Sequence, residues 1–301
     1  MAMFEPSFPY AESQETPSLS QPLRHSRVRL SQGQVFWREV GAGPDVVYLH
    51  GSWQDSSQWL PIIEELASDY HCYAPDRLGS GESESPKIHY SITMAVENLA
   101  EYIESLKLDQ VYLVGHSLGG WIAASYAIRY QHKVKGLVLI SPEGVAVNGI
   151  EKQWQWMRWL CGNPPLLATW LKLIHPFTRL FGKGDAIADW LKQRETMMRS
   201  PISCQFLFRR RPAEIQGELL NEQLNSLTIP VLILQGNREQ PTTQAMGETL
   251  NSMLPNSRLN SLIAGGENLP EEFPAVVSEY IRQFLQRHPI STRNISISDH
   301  S

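Results

Sequence analysis

The chain has 301 residues, of which 42% are apolar and 19% charged, a composition typical of a globular protein with a sizeable core. Its net charge of −5 lacks the basic balance that nucleic-acid binding requires, so we expect no nucleic-acid partner. The three cysteines, Cys72, Cys161 and Cys204, are widely spaced, which fits neither a disulfide framework nor a zinc site and favours a reducing, cytoplasmic location.

The two ends of the chain are polar. Residues 1–24 are rich in Ser, Pro, Glu and Gln and have no apolar core, which predicts a flexible tail and not a secretion signal. Residues 288–301 predict a second polar tail. No run of about 18 apolar residues occurs, so the sequence predicts no membrane-spanning helix.

Short apolar runs alternate with helical patterns along residues 25–149. Helices are predicted after Asp55, over residues 92–106 and over residues 121–130. Strands that alternate with helices at this spacing predict a mostly parallel sheet with helices on both faces. The predicted strands cover residues 27–30, 34–40, 45–50, 70–74, 111–114 and 134–140.

Residues 111–120 read Val-Tyr-Leu-Val-Gly-His-Ser-Leu-Gly-Gly, and an Ala-rich helical pattern follows at once. Strand, Gly-x-Ser-x-Gly and helix in this order are typical of a nucleophile elbow, a tight turn that presents the serine hydroxyl. Its glycines are needed because a Cβ beside Ser117 would collide with backbone. The next N–H lies at a helix N-terminus, where it can meet an oxyanion, and His116 is predicted to point away from Ser117. The alternative is an ordinary Gly-rich turn.

The alternation stops over residues 150–227, which predict helices and no strand. It resumes with a strand at 230–235, a helix at 243–254, a strand at 258–263 and a final helix from Pro274. Residues 25–149 and 228–287 therefore form the predicted core, into which residues 150–227 insert a helical cap. The cap holds five of the nine tryptophans: Trp154, Trp156, Trp159, Trp170 and Trp190.

Three motifs follow successive predicted strands. His50-Gly51 follows the third strand, Asp76-x-x-Gly79-x-Gly81-x-Ser83 the fourth, and Gly115-x-Ser117-x-Gly119 the fifth. With these motifs in this order, the chain resembles the α/β-hydrolase fold family, in the branch of epoxide hydrolases, haloperoxidase-like esterases and lipases. The resemblance covers residues 25–287. It implies an eight-stranded, mostly parallel sheet with helices on both faces and a helical cap over the pocket.

The resemblance also implies roles for individual residues. Ser117 matches the nucleophile, and the backbone N–H groups of Ser52 and Leu118 match the oxyanion hole. Glu239 stands at the position of the family's acid, in a Gly-x-x-Glu context. Glu143, just past the strand at 134–140, lies where some members place the acid instead. For both carboxylates the alternative is a solvated loop residue. No metal or cofactor is expected.

The catalytic histidine of the family is missing from its usual place. Members carry it after the last strand, in a Gly-His context followed by Glu and Pro, and here Glu267 occupies that position. Downstream only His288 and His300 remain, at the end of the last helix and in the polar tail. Neither can easily return to Ser117, so the base that a serine nucleophile needs must come from elsewhere.

Three interpretations follow. In the favoured one, the protein hydrolyses an ester-like bond with another base: Glu267 with a pKa raised by burial, His50, or His175 of the cap. In the second, the chain is a catalytically degenerate binding module for an apolar ligand or partner. In the third, the pocket runs lyase-type proton transfer with Glu267 as base and without a triad. The intact elbow and oxyanion loop favour an enzyme.

The predicted cap is unusually rich in Trp, Leu and Phe, which predicts an apolar substrate or ligand. The first interpretation of this composition is a cap that packs its aromatic face on the sheet domain. The alternative is a surface in peripheral contact with a membrane, because Trp and the basic residues Arg158, Lys172 and Arg179 suit a bilayer interface. The predicted location is therefore cytoplasmic, with peripheral membrane contact as the alternative. The oligomeric state is not predicted.

Overall fold

The computed structural model of the protein describes residues 22–162, 164–180 and 184–290. Most of the two predicted polar tails, residues 1–24 and 288–301, lies outside these described residues. None of the described helices is both long enough and apolar enough to cross a membrane.

One sheet organises the described residues, and the predicted eight-stranded, mostly parallel architecture is confirmed. Its strand order is β1-β2-β4-β3-β5-β6-β7-β8. The β1–β2 and β2–β4 pairs are antiparallel, and the five remaining pairs are parallel. The strands are β1 (Arg24–Arg29), β2 (Gln34–Val40), β3 (Asp45–Leu49), β4 (His71–Pro75), β5 (Val111–His116), β6 (Val134–Ile140), β7 (Val231–Gly236) and β8 (Ser257–Leu262).

Helices cover both faces of this sheet. The central strand β5 is buried at every position, as expected for a parallel strand that is covered on both sides. One core lies between the sheet and α2, α3 and α9, and the other lies between the sheet and α1 and α11. The helices of the core are α1 (Leu60–Leu66), α2 (Ile92–Ser105), α3 (Leu118–Arg129), α9 (Pro241–Met253), α10 (Leu269–Glu272) and α11 (Pro274–Arg287).

A helical segment between β6 and β7 forms the cap. Its described residues contain no strand, and hydrogen bonds tie it to the core at several points, two of them at Ser52 and Trp53. The Trp53 indole N–H donates to the Met197 carbonyl oxygen at 3.2 Å, and the Ser203 hydroxyl donates to the Ser52 carbonyl oxygen. The cap helices are α4 (Ile150–Leu160), α5 (Leu166–Leu180), α6 (Gly184–Met198), α7 (Pro201–Cys204), which continues into a π-helical turn (Gln205–Arg209), and α8 (Pro212–Gly217).

The parallel strands position the site. Because β5, β6, β7 and β8 run in the same direction, the loops that follow them leave the sheet at one common edge. Ligands of open α/β sheets bind at this edge, outside the carboxyl ends of the strands. The loops here carry Ser117, Glu143, Glu239 and Glu267. Ser117, Glu143 and Glu267 line a cavity whose wall also includes residues of the cap.

Candidate active site

The turn between β5 and α3 has the geometry of a nucleophile elbow. Ser117 adopts φ 51° and ψ −118°, in a region where a residue with a side chain is strained by about 1–3 kcal/mol. A Cβ at Gly115 would lie 2.5 Å from the Gly119 carbonyl oxygen, and one at Gly119 would lie 2.2 Å from the Leu49 carbonyl oxygen. Both glycines are therefore required, and the Ser117 side chain lies in the wall of a cavity under the cap.

The Ser117 hydroxyl is hydrogen-bonded to a carboxylate. Its Oγ donates to Oε1 of Glu143 at 3.1 Å. In return, the Glu143 backbone N–H donates to the Ser117 carbonyl oxygen at 3.3 Å. Ser117 and Glu143 are therefore joined by one side-chain and one backbone hydrogen bond. Glu143, which the sequence offered only as an alternative acid, is the described carboxylate in direct contact with the elbow hydroxyl.

A tight loop after β6 turns Glu143 towards the end of β5. Ser141, the first residue after β6, has a φ of 45°, and Gly144 has a φ of 106°. A Cβ at Gly144 would lie 2.4 Å from Cδ1 of Trp121, so this position accepts only glycine. Two left-handed residues around Pro142 and Glu143 reverse the chain within four residues and bring the carboxylate back over the sheet edge.

The environment of Glu143 favours its neutral form. Burial raises the pKa of Glu143 to about 7. The hydrogen bond from Ser117 and the charge of Arg77 oppose this rise, and the charge of Glu267 adds to it. The side chain keeps some exposure towards the cavity, but its Oε2 atom is enclosed and has no hydrogen-bond partner among the described residues. A carboxylate with a pKa near 7 can both accept and return a proton near neutral pH.

Glu267 lies at the rim of the same cavity without contacting Ser117. Its Oε1 accepts from the Gln240 backbone N–H at 3.4 Å and from the Thr243 hydroxyl at 3.3 Å, and the residue is exposed. Glu267 therefore lacks a hydrogen bond to the Ser117 hydroxyl, which a base for this serine would need. Its negative charge nevertheless raises the pKa of Glu143. A catalytic role for Glu267 stays a prediction.

Glu239 braces the loop that carries Glu143. Its buried Oε1 accepts from the Ser141 hydroxyl at 2.5 Å and from the Gly236 backbone N–H at 2.7 Å, and burial raises its pKa. Within the described part of the chain no imidazole is hydrogen-bonded to Glu239, so its contacts are those of a positioning residue. Ser141 is not among the residues predicted for the site, although a serine directly after a predicted strand at the carboxyl edge of the sheet was a usable signal.

The two histidines proposed as substitute bases lie elsewhere. His50 is buried, its Nδ1 donates to the Gly51 carbonyl oxygen at 2.9 Å, and its Nε2 accepts from the Arg77 backbone N–H at 3.1 Å. Burial holds the pKa of His50 well below its usual value. Both ring nitrogens are occupied, which removes His50 as a base for Ser117. His175 lies on α5 and does not line the cavity beside Ser117.

His116 points away from Ser117 and packs against the loop that begins at Gly51. Its Nε2 donates to the Glu267 carbonyl oxygen at 2.8 Å, and its Nδ1 accepts from Nε2 of Gln58 at 3.0 Å. Burial lowers the pKa of His116 to about 4, so the ring is neutral. A Cβ at Gly51 would lie 2.5 Å from this ring. His116 therefore fixes the two loops and is not placed to take a proton from Ser117.

The two N–H groups expected to form an oxyanion hole are free to bind a ligand. Among the described residues, no acceptor meets the backbone N–H of Ser52 or that of Leu118, the first residue of α3. The Ser203 hydroxyl of the cap holds the Ser52 carbonyl oxygen and so fixes the orientation of this loop. Their role as an oxyanion hole stays a prediction.

The cavity beside Ser117 encloses about 750 Å³, counting the part that is open to solvent. Its polar residues include Ser117, Ser141, Glu143 and Glu267. Within the described residues, no group of three His, Cys, Asp or Glu side chains is arranged to hold a metal ion. Five further polar residues, all neutral, also line the cavity: Gln153, Gln193, Gln240, Thr242 and Thr243. Its apolar lining consists of Trp53, Ile150, Trp154, Met157, Met197, Leu207, Phe208 and Met246.

Comparison with known proteins gives a match over most of the chain. The family model described as "alpha/beta hydrolase fold" matches residues 44–274. A solved structure, "a membrane phospholipase A, a novel bacterial virulence factor", superposes with a TM-score of 0.69 at 21% identity, over 88% of this chain and 86% of that one. At this identity the superposition shows a common fold and nothing more.

Two relatives illustrate how far the sequence likeness extends. An uncharacterised protein of Mycobacterium tuberculosis is 23% identical over 264 residues, which are 83% of this chain and 77% of the relative. The 2-hydroxy-6-oxo-2,4-heptadienoate hydrolase of Pseudomonas putida is 37% identical over 123 residues, but these are only 38% of this chain and 45% of that protein.

Proposed function

Because the chain belongs to the α/β-hydrolase fold family, we propose that it is a serine hydrolase that cleaves apolar esters, with Ser117 as nucleophile and Glu143 as base. The observation that carries this proposal is the 3.1 Å hydrogen bond from the Ser117 hydroxyl to Glu143. It supplies the neighbouring proton acceptor that a serine nucleophile needs and that the family normally takes from histidine.

The proposed reaction has two halves. Ser117 Oγ attacks the ester carbonyl carbon while its proton passes to Glu143, and the N–H groups of Ser52 and Leu118 stabilise the oxyanion. When the intermediate collapses, the departing alcohol takes that proton from Glu143. In the second half Glu143 accepts a proton from water, whose oxygen attacks the acyl-enzyme carbonyl carbon. When this second intermediate collapses, the bond to Ser117 Oγ breaks, Oγ takes the proton back from Glu143, and the carboxylic acid leaves.

The cavity supports an apolar, uncharged substrate. Eight apolar and seven neutral polar side chains line it, and its two ionisable groups are carboxylates. Glu143, Glu239 and Glu267 lie close enough together that Glu267 raises the pKa of each of the other two. An anionic group beside Ser117 would add a further like charge, so a neutral ester with a long acyl chain is the favoured substrate class.

Hydrolysis of short-chain and long-chain nitrophenyl esters tests the proposal. We expect turnover by the wild type, a preference for long acyl chains, and loss of turnover in Ser117→Ala. A fluorophosphonate probe should add to Ser117 in the wild type and leave Ser117→Ala unmodified, as judged by peptide mass. Faster turnover of short polar esters than of long ones would contradict the assignment of an apolar substrate.

The two other interpretations predict different results in the same assay. A binding module would neither hydrolyse the esters nor react with the phosphonate, and it would gain turnover in Glu267→His if only the imidazole were missing. Lyase-type proton transfer would survive Ser117→Ala and disappear in Glu267→Gln. The direct contact of Ser117 with Glu143, and the lack of contact between Ser117 and Glu267, favour hydrolysis.

The outer face of the cap supports a second proposal, that the enzyme meets its substrate at a lipid surface. Four residues of α5, spaced by four, three and four positions, lie on one face of the helix and are exposed. Helix α5 contains two basic residues, Lys172 and Arg179, and no acidic residue, so its positive charge complements an anionic bilayer. The exposed residues are Leu166 at 71%, Trp170 at 56%, Leu173 at 67% and Phe177 at 67%.

Flotation with phosphatidylcholine–phosphatidylglycerol vesicles tests this proposal. We expect the wild type to float with the vesicles and the double variant Trp170→Ser, Phe177→Ser to lose most of this binding, because it removes two exposed anchors. Val276→Ser is the matched control, since Val276 is 44% exposed on α11, outside the cap. Equal binding by both variants would contradict the proposal, as would concentration-dependent dimerisation through α5 without lipid binding.

A further inference from the structure

Two of the three cysteines meet inside the cap. Cys161 caps the C-terminus of α4, and Cys204 ends α7. Both are buried, and both thiols contact the same residue, Met197. The pKa of each thiol is shifted chiefly by a hydrogen bond with the other, down for Cys161 and up for Cys204. The wide spacing that argued against a disulfide framework in the sequence therefore conceals a pair of neighbouring thiols.

The thiol pair lies directly behind the wall of the cavity. Cys161 Sγ is 3.7 Å from Sδ of Met197, and Cys204 Sγ donates to the Met197 carbonyl oxygen at 3.4 Å. Met197 lines the cavity that contains Ser117. Met197 therefore lies between these sulfur atoms and the cavity.

Two guanidinium groups converge on the same end of α4. Arg209 Nε donates to the Cys161 carbonyl oxygen at 3.0 Å, and Arg194 Nε donates to the Leu160 carbonyl oxygen at 3.1 Å. The pKa of Cys161 is lowered chiefly by its hydrogen bond with Cys204 and further by these two arginines, against the effect of burial. Since the thiolate is the reactive form of cysteine, Cys161 is the member of the pair that attacks an oxidant.

We propose that Cys161 and Cys204 form a reversible disulfide that responds to hydroperoxides and links α4 to α7 behind the wall of the cavity. The Cys161 thiolate attacks the peroxide oxygen and becomes a sulfenic acid, while the O–O bond breaks and the alcohol or water leaves. The Cys204 thiol then attacks the Cys161 sulfur, the S–O bond breaks, and the sulfenic oxygen leaves as water with the proton of the thiol. Two thiols are oxidised by two electrons, and one peroxide is reduced.

The bond would close residues 161–204 into a loop. This loop contains α5 with its exposed apolar face, and α6 with Gln193 and Met197 of the cavity wall. The thiols need only approach from hydrogen-bond distance to an S–S length of about 2.05 Å. The effect on turnover rests on the proposed function, whereas formation of the disulfide does not.

Peptide mapping under non-reducing conditions tests the proposal on the full chain. After treatment with hydrogen peroxide, we expect a linked Cys161–Cys204 peptide that dithiothreitol separates again. Cys72 is the internal control, because burial raises its pKa to about 12 and its thiol donates to the Tyr48 hydroxyl. Cys161 should be oxidised at least about tenfold faster than Cys72, in proportion to its thiolate fraction.

The Cys204→Ser variant separates a disulfide from simple oxidation. Without its partner, Cys161 should stop at the sulfenic acid and react with dimedone, whereas the wild type should not accumulate this adduct. The proposal is overturned if the linked peptide is absent from peroxide-treated protein that retains its native circular dichroism. It is overturned equally if Cys161 and Cys72 oxidise at the same rate. These readouts do not involve ester hydrolysis, so they stand even if the proposed activity fails.

Discussion

Replacing Glu143 by Gln is expected to lower kcat/KM for ester hydrolysis by about 10²–10⁴-fold, the usual contribution of a general base. The amide fills nearly the same volume and can still accept the Ser117 hydrogen bond of 3.1 Å, but it cannot take the proton. The loss should therefore appear in kcat with little change in KM, because the walls of the cavity are unaltered. Steady-state kinetics with a long-chain nitrophenyl ester measures both constants.

The pH profile gives the same prediction a second readout. Glu143 must be ionised to act as a base, and its pKa is raised to about 7, so activity should rise through this pH and level off above it. Glu143→Gln should lose this step. If the wild-type profile is flat between pH 5 and 8, or if Glu143→Gln retains its inflection, another group is the base.

Glu267→Gln is the matched control, since it makes the same change at the rim of the same cavity. Glu267 bonds Thr243 and Gln240, not Ser117, so turnover at high pH should change by less than about threefold. Because the charge of Glu267 raises the pKa of Glu143, removing it should shift the pH inflection to lower pH. A loss as large as that in Glu143→Gln would instead support Glu267 as the base.

Much of the fold could be predicted because its signals are local. Short stretches of the sequence are enough to predict the alternation of strands and helices, the tight turn around Ser117 and the strand-free segment at 150–227. Boundaries were less reliable: β1 occupies Arg24–Arg29 although the pattern indicated 27–30. Its edge position explains this, because an edge strand with one exposed face has a weak hydrophobic pattern.

The site was less predictable because its contacts depend on loop conformation. Alignment of motifs placed Glu267 where a histidine is expected, but the loop turns its carbonyl oxygen towards His116 and its carboxylate towards Thr243. The approach of Glu143 to Ser117 depends on the positive φ of Ser141, and a serine in the sequence does not predict a positive φ. Cys161 and Cys204 meet only because the cap folds back on itself, and spacing alone cannot show this.

The same Glu143→Gln substitution is expected to stabilise the folded chain by about 1–3 kcal/mol near pH 8, even as it removes activity. The pKa of Glu143 rises from an ordinary value of 4.5 to about 7 on folding. Between these pH values the folded state binds more protons than the unfolded state, so stability falls as pH rises through this window and stays lower above it. Because glutamine does not ionise, the Glu143→Gln variant does not lose stability as the pH rises through this window.

Urea unfolding near pH 5 and near pH 8 measures the effect. Glu143→Gln should gain stability over the wild type near pH 8 and gain much less near pH 5, where the folded wild type already carries a neutral carboxyl. Glu279→Gln is the control, because Glu279 is exposed on α11 and has no burial to relieve. If Glu143 only braced its loop, replacing it would lower both the stability of the folded chain and the activity. Opposite signs for the two quantities would identify a charge kept in an unfavourable place because the chemistry requires it.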